Sequence, residues 1–366
     1  MKKRVYFVNL RTTFERSLLH KLRDLLEATE IAKIITPGEL TALKLHFGEE
    51  GVTATIRPTL VRKVVEWVRE KGGKPFLTDT TTLYVGGRVD SVTHIETALR
   101  NGYGYLNTKA PIIIADGLRG SSYREIEVQK KHSRKIQIAE AIFYADSVLF
   151  LTHFKGHELT GFGGALKNIA MGCAPKKGKL VMHSQVLPYV DEQRCTSCRR
   201  CMVWCPRQAI VLEPVARIQK ELCIGCCECL AVCPEKAIRI EWNEESKNVQ
   251  EKMVEYAYGI VRTKERSAYV NFLMDITPLC DCYPSSDHSI VPDIGILASF
   301  DPVAIDQASC DLVNSQPGLR DSALPGSFRK GEDKFRALNP EIDWEVQLDY
   351  AEQLRLGKRA YELVEI

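Results

Sequence analysis

Eight of the thirteen cysteines stand at matching places in two runs of one design, CTSCRRCMVWCP at 195–206 and CIGCCECLAVCP at 223–234. The match reaches beyond the thiols, from Val190 to Glu213 and from Ile218 to Glu241, so the segment is an internal duplication. Each copy reads C-x2-C-x2-C-x3-C-P, a spacing in which three thiolates hold one iron–sulfur cube and the fourth reaches across to the other. By that rule one cluster takes Cys195, Cys198, Cys201 and Cys233, and the other takes Cys223, Cys226, Cys229 and Cys205; Cys227 is left over. Soft thiolates suit iron, and Pro206 and Pro234 stop a helix or strand from continuing. A zinc ribbon or a disulfide knot would usually lack the third cysteine and the C-P ending. Two [4Fe–4S] clusters are the expected cofactors.

A chain of 366 residues has room for a sizeable core and a second module. Its 27% charged residues and net charge of +3 exclude disorder and a strongly basic nucleic-acid binder. The opening MKKRVYFVNLRTT has too short an apolar run for a secretory signal, and Asp146 interrupts the longest apolar candidate, AIFYADSVLFL. The expectation is a cytoplasmic protein with no membrane or nucleic-acid partner, whose thiols stay reduced and serve metals.

Outside the repeat, short β-branched runs alternate with helical patterns, the α/β signature. RVYFVNL precedes FERSLLHKLRDLLEAT; Pro58 opens a helix over VRKVVEWVRE that Gly72 and Gly73 end before KPFLTD. PIIIADG and SVLFLTHF are further strands. After the repeat come AYVNFLMDIT and DIGILASF, then DPVAIDQASCDLV, where Asp301 caps and Pro302 starts a helix. The expected architecture is a mostly parallel α/β sheet domain carrying an inserted two-cluster bacterial ferredoxin module of α+β type. The divisions are 1–187 and 243–366 for the two halves of the α/β domain and 188–242 for the insert.

Polar residues collect at the ends of these strands: Lys44 and His46, Asp79, Asp116 and His153. In a parallel sheet such ends face one crevice, where ligands bind. Along LTALKLHF, Lys44 and His46 share one face and Leu43, Leu45 and Phe47 the other; Glu49 follows. The segment THFKGHELTGFGGALKNIAMGC brings His157, a glycine turn, Lys167 and Cys173, with a helix start that favours an anion. A third group, DITPLCDCYPSSDH, holds Asp275, Cys280, Asp281, Cys282, Asp287 and His288. Its C-x-C pair strains an ordinary disulfide; with Cys173, His183 or His288 it could ligate an additional metal, or it could touch substrate. The candidate catalytic set is thus Lys44, His46, Glu49, His157, Lys167, Cys280 and Cys282, and either Cys280 or Cys282 is expected as the thiol nearest a cluster that does not ligate it.

The chain resembles the ferredoxin-bearing branch of the family called domain of unknown function 362, through LKLHFGEEG, KPFLTDTTTLYVGGR, IIIADGLRG, HFKGHELTGFGGALKN, DITPLCDCYP, ASFDPVAIDQAS and the two cysteine runs. That resemblance implies an iron–sulfur protein and assigns no reaction. More distantly, His157, the glycine turn, Lys167 and His183 are similar in order to a stretch of nickel-pincer lactate racemases, which implies a cofactor-anchoring role for Lys167 and a nickel-binding one for His183.

Three functions follow as expectations. The first is an oxidoreductase, in which the clusters take electrons from a soluble carrier of ferredoxin or flavodoxin type and pass them to an anionic small molecule or a metal centre in the crevice. The second is a non-catalytic carrier or complex subunit, meeting an acidic partner through Arg194, Arg199, Arg200 and Arg207. The third is metal-dependent, racemase-like chemistry on a small hydroxy acid.

Overall fold

A computed structural model describes residues 2–184 and 186–366. Eight strands form one sheet in the order Tyr361–Glu365, Lys3–Asn9, Gly295–Ser299, Ser267–Leu273, Ser147–His153, Leu40–Lys44, Lys74–Asp79 and Ile112–Ile114. Seven run in one direction. Gly295–Ser299 alone is antiparallel to both neighbours. The cause is the connection 274–294, which contains no helix; a parallel return needs a crossover, usually helical, so this chain turns back beside Ser267–Leu273. That same connection carries Cys280 and Cys282 over the sheet's end.

Helices cover both faces. Leu22, Leu25 and Leu26 of Leu18–Ala28 and Val61, Val64 and Val65 of Pro58–Glu70 pack on one side, against Leu43, Leu149 and Val270. Ile169 of Ala165–Cys173, Met253 and Ala257 of Ser246–Thr263 and Ile305 of Pro302–Asn314 pack on the other, against Val148, Phe150 and Tyr269. With apolar side chains needed on both faces, every residue of Ser147–His153 and Ser267–Leu273 is buried. The local signals act as expected. Pro58 opens its helix, Gly72 at φ +85° follows its end, and Asp301 accepts hydrogen bonds from the backbone N–H groups of Val303 and Ala304.

The cysteine-rich insert is built twice. Left-handed residues recur at one offset, Ser197 with Gly225, Arg199 with Cys227 and Gln208 with Lys236, and the short helices Arg200–Val203 and Glu228–Val232 match. Its ribbons exchange partners: Tyr189–Val190 pairs with Ile238–Arg239, and Ile210–Leu212 with Ala216–Ile218. The first strand of each copy therefore pairs with the last strand of the other. The small core between them, including Ile210, Leu230 and Ile238, also takes in Leu83, Val89 and Leu180 from the main body.

Candidate functional site

Where Leu40–Lys44, Lys74–Asp79, Ser147–His153 and Ser267–Leu273 end together, a cavity of about 810 Å³ opens. Lys44, His46 and Glu49 reach it from one strand end, His157 and Lys167 from either side of the glycine turn, and Cys280 and Cys282 from the overlying connection. The two-residue alternation holds along the first of these: Leu43, Leu45 and Phe47 lie in the core while Lys44 and His46 line the cavity.

A network of buried charges makes one wall. Lys44 Nζ donates to Asp79 Oδ1 at 2.8 Å and to Asn168 Oδ1 at 2.9 Å. Arg88, which the residue-by-residue reading passed over, bridges Asp79 at 3.3 Å and Glu49 at 3.4 Å and donates to the Tyr84 hydroxyl. Burial alone would raise the Asp79 carboxyl, yet the Lys44 and Arg88 cations beside it hold it below the usual carboxylate range. Burial, with Arg88 adding, pushes His46 down to about 3, so it is a neutral ring; its Nδ1 accepts from Gly48 N. Glu49 also accepts from Gly87 N at 2.6 Å. Such a network holds loops in place more than it stabilises the fold.

The opposite wall carries the thiols. Tyr283 N donates to Cys280 O at 3.1 Å, closing a turn whose first central residue, Asp281, is buried beneath it. Asp281 takes His153 Nδ1 at 2.9 Å and Lys155 Nζ at 2.9 Å, and its carbonyl accepts from Glu49 N at 3.0 Å. The turn is thus pinned at its centre while both neighbouring cysteines face the cavity. Lys167 Nζ donates to Cys280 Sγ at 3.1 Å. His157 Nδ1 accepts from Leu159 N and Thr160 N, which leaves the proton on Nε2. The hydrogen bond from Cys282, then Lys167 and His157, hold the Cys280 thiol well below its ordinary range against the cost of burial, whereas Cys282 is raised by the same contact and keeps its proton.

Several sequence expectations are corrected. The start of helix Ala165–Cys173 does not await an anion: Asp306 already accepts from Ala165 N at 2.7 Å and Leu166 N at 2.9 Å. Gly164 is glycine because a Cβ there would come within 2.3 Å of Asp306 Oδ1. Asp116 does not line the cavity; it accepts from Thr81 N and Thr81 Oγ1 beneath the edge. The cluster of DITPLCDCYPSSDH splits. Asp275 pairs with Arg57, while Asp287 and His288 lie exposed away from the cavity, because the pinned turn gives only Cys280 and Cys282 an inward direction. Cys173 is buried in the core, its thiol pushed up to about 12 by burial. His183 does line the cavity; its Nδ1–H donates to Lys179 O, and burial pushes the ring down to about 4. Glu158 is a second residue missed: it lines the cavity with Oε2 buried and without a hydrogen-bond partner. A lone acid after HFKGH offers no periodic or spacing signal.

In the insert, Cys195, Cys198, Cys201 and Cys233 surround one small cavity, and Cys226 has Cys205 and Cys223 as neighbours. Backbone N–H groups of Ala209, Ala237 and Ala216 point at Cys205, Cys233 and Cys195, at 3.2, 3.2 and 3.5 Å. Among the described residues no three His, Cys, Asp or Glu groups converge tightly enough for a single metal ion. Thiols alone around a void are the donor set that an iron–sulfur cube takes. The thiol outside both sets that sits nearest them is Cys227, next to Cys226 in the chain and buried in the insert's core, rather than Cys280 or Cys282.

Insert and cavity share a wall. Leu83 and Val85 line the cavity and also pack against the insert's core, with Tyr84 between them facing inward, and Trp242 closes the cavity beside His183. No helix among the described residues is long and apolar enough to cross a membrane.

Among known proteins, a thylakoid-associated protein of Synechocystis sp. is 31% identical over 173 residues, which cover 46% of this chain and 50% of that one, so the match spans half the length of this curated relative. A lactate racemase apoprotein from Thermoanaerobacterium thermosaccharolyticum aligns at TM-score 0.38 and 10% identity, over 74% of this chain and 51% of its own. A Thermotoga maritima protein from structural genomics aligns at 0.39 and 11%, over 92% and 58%. Residues 41–311, which include the strand ends, the glycine turn and both thiols of the cavity, match the domain of unknown function (DUF362), and the chain belongs to that family.

Proposed function

We propose that this chain is an iron–sulfur oxidoreductase that delivers electrons to an anionic small molecule in the α/β cavity. One observation carries the reading: the strip Leu83–Val85 is at once a wall of the cavity and part of the packing around the cysteine-rich insert. The eight cysteines would hold two [4Fe–4S] clusters, which supply one-electron transfer when bound. On the insert's surface, the exposed Arg199, Arg200 and Arg207 give an acidic carrier of ferredoxin or flavodoxin class a place to dock. Lys167 holds charge near the thiols, and His157 lines the same cavity. Arg88, Lys44 and Glu49 keep the opposite wall fixed. The division into a 188–242 module within a single α/β domain belongs to this reading.

Anaerobic purification followed by iron and acid-labile sulfide analysis tests it. About eight of each per chain are expected, with electron paramagnetic resonance signals on reduction and an anionic ligand whose binding is weakened by Lys167→Ala while the signals persist. Absence of iron from anaerobically prepared protein sinks the proposal; full iron with no cavity ligand leaves a plain electron carrier, and bound nickel would favour racemase-like chemistry.

A further inference from the structure

Cys280 and Cys282 both line the cavity, on residues separated by one position, and each shifts the other's thiol. The turn that presents them is anchored from below through Asp281 to His153 and Lys155, so its backbone is held while the two side chains point the same way. Cys280 accepts from Lys167, and His157 lines the same cavity and lowers the thiol further. A metal ion is disfavoured at this pair, because the Lys167 ammonium, 3.1 Å from Cys280 Sγ, stands where a cation would approach. Glu158, with an unpartnered buried oxygen, faces the same space and acts on Cys282. One nucleophilic sulfur, a second thiol beside it, fixed cations on the first and a proton acceptor near the second make a set suited to thiol–disulfide exchange.

We propose that Cys280 and Cys282 cycle between dithiol and disulfide and pass two electrons to a low-molecular-weight disulfide bound in the cavity. The proposal rests on the electron-delivery reading above and names its destination. In the oxidative half, the Cys280 thiolate attacks one sulfur of R–S–S–R; a Cys280–S–R bond forms and R–S⁻ leaves. Cys282 then gives its proton to Glu158 and attacks Cys280 Sγ, which forms the Cys280–Cys282 disulfide and releases the second R–S⁻. In the reductive half, the disulfide takes two electrons, supplied singly by a carrier of ferredoxin or flavodoxin class, and one proton, which returns a Cys280 thiolate and a Cys282 thiol. The two-residue ring is part of the device. Cystine between positions i and i+2 is strained, and strained disulfides are easily reduced and are the labile, catalytic ones. Lys167 and His157 are positioning residues for the thiolate.

The test uses the full-length holoprotein under anaerobic conditions, with oxidised glutathione as the probe. After exposure to it, the protein is blocked with N-ethylmaleimide and its peptides are weighed. The expected result is a peptide in which Cys280 and Cys282 are unlabelled and joined; reduced ferredoxin then restores labelling of both. Cys282→Ser should trap Cys280 as a mixed disulfide with one glutathione. Lys167→Met should slow labelling of Cys280 at neutral pH roughly tenfold, the effect of losing a neighbouring cation on thiolate fraction, and Lys167→Arg should recover most of it. Full labelling of both wild-type cysteines after excess oxidised glutathione overturns the proposal, whatever the clusters do. Formation of the disulfide without its reduction by ferredoxin overturns the electron delivery instead and leaves the couple standing.

Discussion

The insert and the cavity solve the same problem, holding reactive groups in a fixed array, by opposite means. In the insert the groups come from two short runs whose backbone repeats down to its left-handed residues, 197 with 225 and 199 with 227. In the cavity, Lys44, Asp79, Lys167 and Cys280 come from four separate stretches, and buried ion pairs rather than a loop fix them. Local spacing can build a site where soft ligands wrap a compact centre. Opposed charges and a proton donor beside a thiolate need walls from different parts of the chain.

Four experiments break or sharpen that contrast. The largest effect is expected at Cys233→Ser, which should remove about half the iron and specifically the signal of the cluster assigned to Cys195, Cys198 and Cys201; loss of the other signal alone would show that each run serves its own cluster. Next is Asp79→Ala, which removes the ion-pair partner of buried Lys44 and one of the two of Arg88 and should cost about 3–5 kcal/mol, read by denaturant unfolding at the transition of the α/β body. An unchanged midpoint would mean that the charges find water on their own.

Asp306 tests the support of the helix that carries Lys167. Burial pushes its carboxyl up to about 6, above the ordinary value of about 3.9. The folded protein therefore keeps a proton that the unfolded chain releases, so this group's contribution is complete below about pH 4 and is lost as pH rises through about 6, by up to about 3 kcal/mol. Asp306→Asn cannot titrate, so the stability gap between wild type and variant should narrow as pH rises from about 4 to about 6. A constant gap would refute the assignment. The smallest effect is expected at Leu180→Ala, at about 2–3 kcal/mol. Leu180 belongs to the insert's core but stands on the helix Lys176–His183 of the body. If insert and body are coupled there, one cooperative transition should shift; a separate early transition would show that the insert melts alone.

What could be read before folding follows from the range of the forces involved. The repeat of the cysteine runs, the alternation around Lys44 and His46, the helix starts at Pro58 and Asp301 and the stop at Gly72 are local geometric constraints, and the backbone shows each of them. Arg88 and Glu158 left little local trace because their partners are Asp79, Glu49 and Cys282, brought close by the order of strands rather than by sequence distance. The glycine turn misled for the same reason. A helix start preceded by glycines invites an anion in any sequence, and only the packing of Pro302–Asn314 shows that the anion is the chain's own Asp306.

The sequence by itself determined that the chain repeats a thiol-rich unit, that this unit interrupts an α/β pattern, and which residues stand at strand ends. Tertiary structure alone decided that the connection from Leu273 to Gly295 returns antiparallel across the cavity, that Asp281 is pinned beneath Cys280 and Cys282, and that Leu83 and Val85 are shared by the cavity wall and the insert's core. Spacing along a chain fixes what a single loop can wrap; which walls meet depends on the order in which strands pair, and that is settled only when both faces of the sheet are buried.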